Sequence, residues 1–393
     1  MPKSIWALGF VSMFMDISSE MIHALLPVFL MTVLGASATT VGLIEGMGEA
    51  TASLTKVFSG WFSDRFGNRK QLAILGYGLG ALSKPFFAIA PSTSFILGAR
   101  FFDRVGKGVR GAPRDALVTE IAGADIRGAA FGLRQSLDTI GAFVGPLIAL
   151  ALMAIYPNAF RLVFSLAIIP GFIAVAILAT FVHEPEGSSK GSTKGNLIKW
   201  SQLRSLGTPF WIVVMVGGIM TLARFSEAFL VLRANGTGLP VALTPLVLIV
   251  MNIVYGASAY PMGILSDRLD RKHLLLVGFG VLVVADVVLA SSHGLLVTGL
   301  GVVLWGLHMG MTQGILSALV ADTAPASLKG TAFGFFNLFS GLALLVASVL
   351  AGWLWQHFGP SATFLAGAGL TILGILASIA LLSSKRPHTP SLA

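Results

Sequence analysis

Acids and arginines recur inside segments that are otherwise apolar. Asp16 and Glu20, Glu45 and Glu49, and Arg134 and Asp138 are each four residues apart, and Arg100 and Asp103 are three apart. At helical spacing each such pair shares a face. A charge at the centre of a bilayer is expensive, on the order of 3 kcal/mol on insertion scales, so ionisable residues in such segments are candidates for function. The chemistry open to them is proton transfer. A carboxyl in a partly dry cavity holds its proton, and an arginine brought near favours its release. Arg224 and Glu227 repeat the mixture further along; a cavity wall and a structural pair are both open readings there. Static ion pairs that lock helices together are the plainer reading of all these groups.

The elements that must hold these residues are membrane helices. Of 393 residues 55% are hydrophobic and only 11% charged, with no cysteine, against about 25% charged in an ordinary soluble domain. That excludes a water-soluble globule, a disordered chain and a disulfide-stapled secreted domain. Crossing a bilayer takes about 20 mostly apolar residues as a helix. Twelve stretches qualify, at roughly 5–30, 40–62, 72–90, 94–112, 129–155, 161–181, 209–232, 241–265, 273–291, 295–321, 330–355 and 361–382. They are long and unalternating, unlike the short strands of a membrane barrel. The first is expected not to be a cleavable signal, since Asp16 and Glu20 interrupt it and no A-x-A site follows.

The net charge of +9 could suggest nucleic acid, but the positive-inside rule accounts for it. With the N-terminus and the even-numbered loops in the cytoplasm, eighteen Lys and Arg fall inside, among them Lys107, Arg110 and Arg114, and only Arg161 and Arg233 fall outside. Both termini are therefore expected in the cytoplasm of an inner (plasma) membrane protein. Residues 183–208, rich in Gly, Ser and Lys, are a linker between a first bundle at 1–182 and a second at 209–393. The halves repeat one another. Gly60-Trp-Phe-Ser-Asp64-Arg65 returns as Gly263-Ile-Leu-Ser-Asp267-Arg268, Ala116-Leu-Val-Thr-Glu120 as Ala318-Leu-Val-Ala-Asp322, and Arg127-Gly-Ala-Ala-Phe-Gly132 as Lys329-Gly-Thr-Ala-Phe-Gly334. Three matches near one offset imply two similar six-helix bundles in parallel orientation, with a binding site between them.

Gly60-x-x-x-Asp64-Arg65-x-Gly67-x-Arg69-Lys70 resembles the signature between helices two and three of the major facilitator superfamily. Arg100-Phe-Phe-Asp103-Arg104-Val-Gly106 is similar to its helix-four motif, with Asp103 and Arg104 where Gln and Gly are usual. Gly132 followed by Gly141-x-x-x-Gly145-Pro146 resembles the helix-five motif of the twelve-helix drug/proton antiporter branch. The resemblance implies that helices one, two, four and five surround a central cavity. On it, Asp16 and Glu20 are the expected proton carriers, with Glu49 and Asp138 behind them. Glu45, Arg100, Asp103, Arg134, Arg224 and Glu227 are expected along the cavity, with Arg100 and Arg134 as counter-charges or anion clamps. It also implies that Asp64, Arg65 and Arg69, with their repeats Asp267 and Arg268 and the acids Glu120 and Asp322, latch the halves on the cytoplasmic side. Gly141, Gly145 and Pro146 form a small-residue face with a kink former.

Other features read as packing. Gly76-x-Gly78-x-Gly80 and Gly106-Lys107-Gly108 lack the context of nucleotide loops. No cluster has metal-ligand spacing, and no cofactor is expected. His23 and His308 stand alone on apolar segments, and Lys56 and Lys84 read as structural or snorkelling. Asp286, in a ninth helix that the resemblance turns toward lipid, has no evident role. The expectation is a monomeric all-α membrane protein of twelve transmembrane helices, not an enzyme, binding a small-molecule substrate and protons rather than nucleic acid. It would be a proton-coupled secondary active transporter exporting a small polar or charged compound, as in drug or toxic-metabolite efflux. Proton-coupled import of an anionic or chelating solute is the alternative. An intramembrane lipid enzyme is a remote third, lacking any nucleophile–base pair.

Overall fold

The computed structural model describes residues 1–66, 68–123, 125–183, 206–325 and 328–383, and leaves outside it the side chains of 61, 64–66, 267 and 380–383. Most of the expected linker, and the side chains of Asp64, Arg65 and Asp267, therefore lie outside the described residues. The described residues contain twelve long helices and no strand. They are α1 (Lys3–Thr32), α2 (Ala38–Phe66), α3 (Arg69–Ile89), α4 (Thr93–Ala122), α5 (Arg127–Ile155), α6 (Phe160–Phe181), α7 (Thr208–Gly236), α8 (Pro245–Arg268), α9 (Arg271–Ala290), α10 (Leu295–Thr323), α11 (Lys329–Phe358) and α12 (Pro360–Ser383). Ten are long and apolar enough to cross a membrane by length and composition. The other two, α2 and α4, carry Glu45, Glu49 and Lys56, and Arg100, Asp103, Arg104, Lys107, Arg110 and Arg114.

Two helices break where the site needs it. α1 is interrupted after His23, and Pro27 opens its second segment, as suits a residue with no N–H to donate. α7 stops at Ala223 and restarts at Ala228. The Ser226 hydroxyl caps the new segment by accepting from the Ala228 N–H at 3.2 Å, and the Ser226 N–H donates to Ser348 Oγ at 3.2 Å. The break sets Arg224 and Glu227 off the helix line.

The packing is a duplication. In the first half α1 packs on α5 and α6, and α4 on α2 and α3; in the second α7 packs on α11 and α12, and α10 on α8 and α9. The seam between halves is made by α2 with α11 and by α5 with α8. One hydrophobic cluster draws on both halves, and it holds Leu26 and Phe29 from the second segment of α1 and Phe229 and Leu230 from the second segment of α7. The clusters toward the N-terminal end of α1 each belong to one half. The halves thus join at the end remote from the N-terminus and part toward the end that carries it.

One boundary departs from expectation. The fourth helix, read as 94–112, runs on to Ala122. Lys107, Arg110 and Arg114, counted as loop charges in the sequence, are helical. Their charges, three glycines and Pro113 suggested a loop, but the stripe Arg100, Arg104, Lys107, Arg110 and Arg114 repeats at helical period and lines one face.

Candidate central cavity

Between the halves lie three cavities of about 270, 340 and 260 Å³, and Glu49 is in the wall of each. The first is lined by Glu20, His23, Glu45, Glu49, Arg104 and Lys107 from the first half, and by Arg224, Phe225 and Glu227 at the α7 break. The second holds Asp16, Glu20, Glu49 and Asp138 beside Lys56, Lys107, Arg110 and Arg114. The third is mostly uncharged on the side of the second half, where Thr221, His308, Thr312, Gln313 and Asn337 face it. His308 is tied back by an Nδ1–H bond of 2.8 Å to the Gly278 carbonyl.

The charged wall is a ladder between parallel helices. Arg100 Nη2 donates to Glu45 Oε2 at 2.6 Å and to His23 Nδ1 at 3.1 Å. One turn along both helices, Arg104 Nη1 donates to Glu49 Oε1 at 2.9 Å. Advancing four residues on α2 and four on α4 keeps the register. Behind it, Lys84 Nζ on α3 donates to Asp103 Oδ1 at 2.7 Å and to Ser19 Oγ at 3.0 Å. Further along, Arg110 lies 3.8 Å from Asp16 and stacks 4.8 Å over the Tyr77 ring. Asp138 on α5 comes within hydrogen-bonding reach of Asp16 on α1. Glu20 forms no ion pair among the described residues, and neither do Lys56, Lys107 and Arg224.

The expected residues thus divide. Asp16, Glu20, Glu45, Glu49, Asp138, Arg224 and Glu227 line the cavities. Arg100 and Asp103, expected there, are instead buried at 2% and 4% exposure between α2, α3 and α4, and line none of the three. Arg100 does not share the level of Glu49 either; its partner is Glu45, one turn away. Arg134 also lies outside the three linings; it bonds to Gln135 and stands 3.9 Å from Asp138. Arg104, Lys107, Arg110, Arg114, His23 and Lys56 are cavity residues that the sequence reading did not count as such. The helical period of the α4 stripe is the signal that identifies four of them. Phe225 and Phe336 line the cavities, whereas Phe229 is fully buried against Phe225 and Trp355.

The helix-five glycines set the position of the acids. A Cβ on Gly141 would stand 2.4 Å from the Met13 carbonyl oxygen, and one on Gly145 would stand 2.8 Å from the Ile17 oxygen and 2.9 Å from Glu20 Cβ. α5 therefore rests directly on the α1 backbone that carries Asp16 and Glu20. Gly141→Ala should cost about 1–3 kcal/mol by overpacking, read as a lowered unfolding temperature in detergent. An unchanged temperature would show that the two backbones are free to separate.

The expected latch residues pair within each half. Arg69, at the start of α3, bonds to Glu120 near the end of α4. Arg271, at the start of α9, bonds to Asp322 near the end of α10. The two pairs are repeat-related, and both are closed in a conformation whose halves are parted at this end. Arg268 is exposed.

This arrangement of two repeated bundles around a cavity is the fold of a membrane transporter. The family model for the Major Facilitator Superfamily matches residues 8–252 and 228–393, and the chain belongs to that superfamily. An uncharacterized MFS-type transporter of Methanocaldococcus jannaschii is 32% identical over 384 residues, covering 94% of this chain and 93% of that protein. The quinolone resistance protein NorA of Staphylococcus aureus is 26% identical over 129 residues, 33% of each chain. A crystal structure of the nucleoside transporter NupG superposes with a TM-score of 0.83 at 12% identity, covering 96% of this chain and 99% of that one. The chain is thus a multi-pass membrane transporter of the superfamily.

Proposed function

We propose that the chain is a proton-coupled secondary active transporter that exports a small polar or charged organic compound by alternating access. On this reading it sits in the inner (plasma) membrane with both termini in the cytoplasm, acts as a monomer, and performs drug or toxic-metabolite efflux. The observation that carries the proposal is the carboxyl pair Asp16 and Asp138, facing each other in the cavity with Arg110 at 3.8 Å from Asp16. Two acids in one cavity wall repel one another when both are charged, and a nearby guanidinium offsets that repulsion. Any motion that changes the Asp16–Arg110 distance then loads or unloads a proton. Glu20, unpaired in the same wall, supplies a second carrier, and Glu49 is held by Arg104. The glycine face of α5 and the partial likeness to a quinolone resistance protein support export. The polar side chains Thr221, Thr312, Gln313 and Asn337 of the second half suit substrate selection.

A second reading has its own support. Lys56, Lys107 and Arg224 face the cavity with no ion-pair partner among the described residues, which suits import of an anionic or chelating solute. Cells lacking the protein decide between the two. Under the export reading they become sensitive to particular compounds and accumulate them, and collapsing the proton gradient in normal cells has the same effect. Reduced entry of a compound instead would reverse the direction, and transport indifferent to the gradient would remove the coupling.

A further inference from the structure

Beyond its first turn, α9 carries one ionisable residue, Asp286, and it touches none of the three cavities. It is not turned to lipid. The residue is fully buried, and both carboxyl oxygens lack a hydrogen-bond partner. Oδ2 packs against Gly367 of α12, where an added Cβ would stand 2.7 Å from it. The same point lies 3.2 Å from the Ala223 carbonyl oxygen and 3.2 Å from the Phe225 ring. Asp286 therefore shares the space beside Gly367 with the carbonyl end of the first α7 segment and with Phe225, which also lines the cavity.

The charged groups on the packed elements are occupied elsewhere. Arg224 follows Ala223 but faces the cavity. Arg233, on the second segment of α7, donates to the Leu289 and Ala290 carbonyls beyond Asp286. His308 on α10 is bonded to Gly278. The described side chains of α12 include no ionisable group. The indole N–H of Trp305, whose ring borders Phe225 at 5.4 Å, is likewise buried without a partner. A carboxylate buried without hydrogen bond or counter-ion costs several kcal/mol, and a helix carbonyl end beside it adds repulsion. The ligand that removes this cost is a proton on the carboxyl itself.

We propose that Asp286 is a proton-binding site of the second half, occupied in the conformation seen here and emptied past Phe225 into the cavity when α7 rearranges at its break. Binding forms one O–H bond on the carboxyl, and release returns that proton to cavity water. The first step stands apart from the transport reading; only the release step rests on alternating access.

Infrared spectra of the purified full chain at about pH 8, where an ordinary carboxyl is ionised, should contain a protonated-carboxyl band that is missing from both Asp286→Asn and Asp286→Leu. Spectra in which neither variant loses such a band would overturn the site. For the release step the chain offers a clean background, since it has no cysteine. Ser317→Cys places a label on the exposed wall of the 260 Å³ cavity. Its reaction rate with a water-soluble maleimide, divided by the thiolate fraction at each pH, should fall as pH rises through the release range, and adding Asp286→Asn should keep that ratio at its low-pH value. Superimposable pH profiles would overturn the link to α7. A lost proton-driven flux with the infrared band intact would count against the transport reading alone.

Discussion

Asp16→Asn should reduce proton-driven movement in sealed liposomes to the level of protein-free vesicles. Arg110 loses the carboxylate 3.8 Å away, and Asp138 loses the acid that lines the same cavity. Asn keeps the size and hydrogen-bonding capacity of the side chain, so packing against Gly141 should survive, and the unfolding temperature should stay near that of the parent. Glu20→Gln should act in the same direction without disturbing any ion pair. The measurement is acidification followed by a trapped pH dye, using a compound identified by the growth comparison. Full coupling in both variants would remove these acids from the proton path.

The second large effect is on stability. Lys84 and Asp103 form a bond of 2.7 Å with both side chains almost wholly buried between α3 and α4. Removing the lysine leaves Asp103 only the more distant Arg104 Nε at 3.7 Å, and breaking a buried pair costs about 3–5 kcal/mol. Lys84→Met should therefore lower the unfolding temperature sharply. The double change of Lys84→Met with Asp103→Leu should recover most of the loss, because no charge is then left stranded. A double variant as unstable as the single one would mean that the pair does more than neutralise itself.

Much of the fold was legible because bilayer physics writes long, unalternating apolar runs, and because duplication left the same residues some 202 positions apart. The site was less legible, for a physical reason. Depth along a helix can be counted, but the direction in which a side chain points depends on the neighbouring helix. The parallel register of α2 and α4 gives Arg100 to Glu45 and Arg104 to Glu49, a pairing that depth alone does not specify. Lys107, Arg110 and Arg114 looked like loop residues because charge and glycine normally end a membrane helix. A cavity lined by acids and other polar groups removes that penalty, so α4 continues to Ala122. Asp286 was placed toward lipid by the fold's outline, whereas the side chain turns inward to a space left by Gly367.

The two repeat-related bonds, Arg69 to Glu120 and Arg271 to Asp322, have a mechanical meaning. Each is a strut fastened inside a single bundle, and neither spans the gap. Under the proposed alternating access, a bundle stiffened in this way would swing as one piece and leave the ladder of ion pairs on its inner face undistorted. The contacts that would then have to slide are those of α2 against α11 and of α5 against α8.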